Sequence, residues 1–134
     1  MRQGEALALQ WGRHVDLDRG FLKLTRDITK ASKERVVPLS SRAKVVLERR
    51  KALGHTQPFP YKKKNASDVF RKARIHLGLD SALCVHSLRH TATTRLIEKG
   101  GDIYRIGKMV GHSTSHMTER YAHLSPEYLQ DLVR

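Results

Sequence analysis

The sequence predicts an α+β fold, mostly helical, with a small three-stranded antiparallel sheet near the N-terminus. Two observations predict it. Residues 15 to 25, VDLDRGFLKLT, alternate apolar and polar on both sides of Asp18, Arg19 and Gly20, which is the period of a strand. From Ser41 onward the apolar residues instead recur at helical spacing, in segments that end on glycine.

The alternating stretch reads as a hairpin turning at Asp18, Arg19 and Gly20. RVVPL, residues 35 to 39, supplies a third strand, and the polar segment ITKASKE before it makes the second turn, with Lys30 and Lys33 at or beside the tip. A helix follows with Ser41 as N-cap, Ala43, Val46, Leu47 and Leu53 on its apolar positions, and Gly54 as its stop. HTQPFPYKKKNAS combines two prolines with three consecutive lysines and reads as a surface loop before a helix that Ser67 caps and Gly78 ends. Two more helices are expected. One runs from Ser87 to Lys99 before Gly100 and Gly101; the other runs from Asp102 to Val110, with Ile103, Ile106 and Val110 on one face and Gly111 after it. Another starts near Ser113, and Ser125, Pro126 and Glu127 open a last one carrying Leu129, Leu132 and Val133.

At 134 residues and 39% hydrophobic content, the chain suits one domain with one modest core. Lysine and arginine number 26 against 13 acidic residues, giving a formal charge of +13, a field that concentrates polyanions. Nucleic acid is the leading partner; an anionic membrane and a basic surface kept for solubility are the alternatives. Cys84 is the only cysteine, so an internal disulfide is excluded and a reducing, cytoplasmic setting fits. No apolar run is long enough for a membrane span, and the first residues lack the form of an export signal.

Three short motifs carry chemistry. In HSLRH, His86 and Arg89 stand three apart, so on a helix they share a face and can grip one phosphate. The same spacing also suits a capping histidine beside a surface arginine paired with an acid. His86 with His90, and His112 with His116, have the four-residue spacing of zinc ligands, but neither pair brackets the glutamate of a zinc protease, and no metal site is expected. GHST puts Gly111 at a helix end and His112 just before the next helix, whose free amides favour an anion. Tyr121 lies nine residues beyond His112, about 13 Å along one straight helix, so the two meet only across a break or a movement. Met117 and Leu124 flank Tyr121 as an apolar stripe would flank a core tyrosine.

In their order HSLRH, GHST and RYAHLS resemble the catalytic domain of the tyrosine recombinase, or phage integrase, family. MRQGEALALQWGRHVDLD is similar to that family's first arginine box, and TKASKERVVPL to its lysine-bearing turn and third strand. Position by position, the resemblance puts the two phosphate-clamping arginines at Arg2 and Arg89, the turn lysine at Lys30 with Lys33 as its rival, the histidines at His86 and His112, and the nucleophile at Tyr121. It implies that Tyr121 attacks a DNA phosphodiester to give a 3′-phosphotyrosyl intermediate, followed by strand joining without a cofactor.

Each residue type suits its implied role. A guanidinium stays charged and can bind two non-bridging oxygens; a phenol of pKa near 10 needs a base, for which His86 is the match and His112 an oxyanion donor; Lys30 would protonate the leaving 5′-oxygen. Double-stranded DNA is the implied partner, with self-association into a tetramer through the stretch after Tyr121. A type IB topoisomerase-like relaxing enzyme and a catalytically silent DNA-binding remnant are the other readings. The resemblance begins at Met1 and Arg2, whereas family members carry further helices and a core-binding domain ahead of that arginine. Residues 1–134 are therefore expected to be a catalytic domain lacking those parts, with Arg2 poorly ordered at a chain end.

Overall fold

The computed structural model describes residues 1–30 and 32–112, and over them the α+β class holds: six helices and one antiparallel sheet of order β1-β2-β3. Two short helices precede the sheet, α1 (Gln3–Leu7) and α2 (Trp11–His14). Periodicity could not predict them, because four or five residues leave no repeating face; local side-chain bonds define them instead. At α1 the Arg2 backbone amide donates to Glu5 Oε2 at 2.6 Å. At α2 the Gln10 amide donates to His14 Nδ1 at 3.0 Å, which leaves Nε2–H to donate to Thr25 Oγ1 at 3.0 Å. The buried His14 ring thus joins α2 to the end of the second strand.

β1 (Val15–Asp16) and β2 (Phe21–Leu24) form the expected hairpin, with Val15 opposite Leu22 and Asp16 opposite Phe21. The turn is wider than expected because Leu17 already belongs to it; it closes when the Arg19 amide donates to Asp16 Oδ1 at 2.9 Å. β3 (Arg35–Pro38) pairs along the other side of β2, from Leu24 opposite Arg35 to Phe21 opposite Pro38. Pro38 is tolerated because β3 is an edge strand.

The helix starts move from their expected places. α3 (Ser41–Ala52) is capped by Ser40, not Ser41: the Ala43 amide donates to Ser40 Oγ at 3.2 Å. α4 (Lys63–His76) starts four residues before Ser67, so Lys63 and Lys64 lie in its first turn and not in a loop. Lysine is a good helix former, and Ser67 Oγ accepts from Gln3 Nε2 at 3.2 Å instead of capping. α5 (Val85–Glu98) starts two residues before Ser87, whose Oγ accepts from the Cys84 amide at 3.0 Å, so His86 falls in the first helical turn. α6 (Ile103–Val110) has Asp102 as N-cap, accepting from the Arg105 amide at 2.7 Å, and ends on Gly111 in the left-handed region. The helices expected near Ser113 and from Ser125 lie outside the described residues.

The buried apolar side chains form two clusters where one modest core was expected. Leu9, Leu22, Leu24 and Leu47 fill the space between sheet, α1–α2 loop and α3. Ile97, Ile106 and Val110 join α5 to α6. Beside the contact of β3 with α6, Arg35, 10% exposed, pairs with Glu5 of α1, 2% exposed. Among the described residues no helix is long and apolar enough to cross a membrane.

Candidate active site

A helix ends with carbonyls that have no amide partner within it, and these draw cations. At the end of α6 every such carbonyl is occupied. The amide of Gly111 donates to Gly107 and Lys108, and the amide of His112 to Gly107 at 2.9 Å. The next three carbonyls each take a guanidinium: Arg35 Nε donates to Met109 at 3.0 Å, Arg89 Nη1 to Val110, and Arg2 Nη2 to Gly111 at 3.2 Å. These arginines come from β3, α5 and the residue before α1. Gly111 permits the convergence twice over, since its φ is +77° and a Cβ there would lie 2.7 Å from Arg35 Cζ.

One buried carboxylate balances part of this charge. Glu5 Oε2 accepts from Arg35 Nη2 and from the Arg2 amide, both at 2.6 Å, while Oε1 lies 3.4 Å from Arg2 Nη1. Burial works to raise the Glu5 pKa, but the bonds from Arg35 and the Arg2 backbone, with the charges behind them, hold it below its ordinary value. Glu5 and Arg35 were not among the expected site residues. Glu5 had a signal, the three-residue step from Arg2 that suits reciprocal capping; Arg35 had none, being 30 residues from its partner.

Beside this cluster lies a cleft of about 760 Å³ whose walls include Arg2, Lys30, His86, Lys63 and Cys84. Three of the expected site residues, from the first box, the β2–β3 turn and the start of α5, therefore share one concavity. Lys33 is exposed and does not line it. Arg89 stands behind and is 8% exposed, so it is not a surface arginine. The His86 pKa is held below its ordinary value, first by burial and then by the positive fields of His90, Arg89 and Arg2, which favours the neutral imidazole.

His112 is half-buried directly after the arginine-bound turn. Arg2, expected to be poorly ordered, is instead held at its backbone amide and at both terminal nitrogens. Tyr121 and His116 lie outside the described residues, as does the break or movement required between His112 and Tyr121. The rings of His86 and His90 meet edge to face with centroids 4.7 Å apart. Among the described residues no group of three His, Cys, Asp or Glu side chains is placed to hold a metal ion.

Comparison with known proteins supplies the family. The sequence profile of the phage integrase family matches residues 1–127. The chain belongs to the phage integrase family. It is similar to the shufflon-specific DNA recombinase of Escherichia coli, at 38% identity over 92% of the chain and 32% of that relative. Similarity to the integrase of Escherichia phage 186 is 32% over 96% of the chain and 38% of that relative. This phage integrase family chain thus spans about a third of the length of those curated relatives. Its fold superposes on the catalytic domain of bacteriophage HP1 integrase with a TM-score of 0.73 and 27% identity, covering 99% of this chain and 73% of that one.

Proposed function

We propose that this chain is the catalytic domain of a site-specific DNA recombinase of the integrase type. The observation that carries the reading is the convergence of Arg2 and Arg89 on one helix end, beside the cleft that Lys30 and His86 line. A scissile phosphate of double-stranded DNA occupies that cleft. Arg2 and Arg89 bind its non-bridging oxygens and stabilise the charge that builds on them during attack. The Tyr121 oxygen bonds to phosphorus as its proton passes to neutral His86. The bond to the 5′-oxygen breaks, Lys30 supplies that oxygen with a proton, and a 3′-phosphotyrosyl link remains. His112 donates to a phosphate oxygen.

The link conserves the energy of the broken diester, so a 5′-hydroxyl from a second duplex reverses the chemistry and joins strands without ATP or another cofactor. Both curated relatives are named as recombinase or integrase, which supports recombination over the relaxing-enzyme and silent-remnant readings. Recombination of two duplexes calls for several protomers, and a tetramer on DNA in the cytoplasm is the assembly proposed.

The test is a nicked suicide duplex that traps the cleaved state. Incubation at low salt should give a denaturant-stable protein–DNA adduct, and Tyr121→Phe should give none. The enzyme reading fails if the parent chain forms no adduct, and the nucleophile assignment fails if the phenylalanine variant forms one.

A further inference from the structure

We propose that Arg35 is a positioning residue for phosphodiester cleavage: it fixes the carboxyl end of α6, on which the two clamp guanidiniums of Arg2 and Arg89 are oriented and from which the backbone enters His112. The proposal rests on the recombinase reading above.

Arg35 does not line the cleft that holds Arg2, Lys30 and His86, and its side chain is only 10% exposed, so it acts on the phosphate through other groups. Its bonds close a ring. Arg35 Nε donates to the Met109 carbonyl, Arg35 Nη2 to Glu5, Glu5 accepts Arg2 Nη1, and Arg2 Nη2 donates to the Gly111 carbonyl, two residues from the start. Arg89 holds the Val110 carbonyl between those two points. A shift of the α6 end therefore moves the anchor of both clamp arginines at once, and Arg35 is the member of the ring that ties this end to the sheet.

The chemistry of the ring needs a guanidinium at this position. Its nitrogens lie in one plane and serve Met109 and Glu5 together, whereas a lysine ammonium is a single point on a flexible stem. The plane also packs against the bare Cα of Gly111, where a Cβ would lie 2.7 Å from Cζ. Glu5 offsets part of the repulsion among three guanidiniums at one helix end. Without Arg35, Glu5 retains only Arg2 among its hydrogen-bond partners and draws that guanidinium away from the Gly111 carbonyl.

Two measurements on the full chain test this. In the first, adduct formation on the nicked suicide duplex is followed in single turnover for the parent, Arg35→Lys, Arg35→Ala and a core control on α3, Leu47→Ala, each well below its own melting temperature. The expected result is a rate constant at saturating DNA lowered about 10- to 100-fold in both Arg35 variants, with half-saturation changed less than about threefold. Added guanidinium ion should restore part of the Arg35→Ala rate but none of any deficit in Leu47→Ala.

In the second, the Nε–H signals of Arg2 and Arg89 are recorded by NMR without DNA; Arg35→Lys should shift or broaden both. This arm is independent of catalysis, so a parent chain that forms no adduct overturns the recombinase reading while the spectrum still decides the positioning. Arg35 variants with parental rates, losses confined to DNA affinity, losses matched by Leu47→Ala, or unchanged arginine signals each overturn the proposal.

Discussion

Gly111→Ala should be far more damaging than Gly100→Ala, although both glycines follow a helix at nearly the same left-handed φ, +77° and +79°. A Cβ at Gly100 meets nothing within 4 Å. Its cost is the backbone penalty alone, about 1–2 kcal/mol for an L side chain in that region, less about 0.4–1 kcal/mol from a stiffer unfolded chain. At Gly111 the same Cβ lies 2.7 Å from Cζ and 2.8 Å from Nη1 of Arg35. The guanidinium is the end of a flexible side chain and must withdraw, which strains its bonds to Met109 and Glu5.

Loss of one such charged bond adds about 1.5–3 kcal/mol, so Gly111→Ala comes to about 2.5–4 kcal/mol against about 1 kcal/mol for Gly100→Ala. Urea unfolding of the parent and the two variants measures both numbers, with parallel slopes confirming that the same transition is compared. Equal losses in the two variants, within the extrapolation error of about 10–15%, would refute the packing of Arg35 against Gly111 as an energetic contact.

Two further predictions concern the cleft. His86 has its pKa held below 6.5 by burial and neighbouring positive charge, so the proposed base is expected to be neutral at pH 7 and to lose function only as pH falls through that lowered value. The acid limb of single-turnover cleavage should lie below pH 6.5 and disappear in His86→Gln; an unchanged limb in the variant assigns the base elsewhere. Lys30→Ala should slow adduct formation about 100-fold or more on ordinary DNA, and a 5′-bridging sulfur substrate, whose leaving thiolate needs no proton, should recover the rate. Lys33→Ala should leave cleavage nearly intact, and the reverse order of the two lysines would transfer the role to Lys33.

The elements with a repeating pattern were legible in the sequence: the hairpin at Asp18–Gly20, the third strand, and the helices that stop at Gly54, Gly78, Gly100 and Gly111. Each rests on period, turn chemistry or a left-handed stop, all properties of neighbours in the chain. Helix starts were less legible because several capping residues compete locally: Ser40 prevailed over Ser41, and Ser67 was claimed by Gln3, a residue 64 positions away. Helices α1 and α2 are too short to show a period and are defined by Glu5 and His14 side chains bonded to the backbone.

For the proposed site, the sequence by itself determined which residue types are available: two arginines, a turn lysine, two histidines and Tyr121, in the order that the resemblance implies. Only the tertiary structure decided how the arginines are held. Glu5 and Arg35 are 30 positions apart, and Arg2 and Gly111 are 109 apart, separations at which no periodicity or capping rule operates. A buried carboxylate and the unpaired carbonyls of a helix end must find partners wherever the fold brings them. That demand, exerted through space and not along the chain, gathers three guanidiniums on the end of α6.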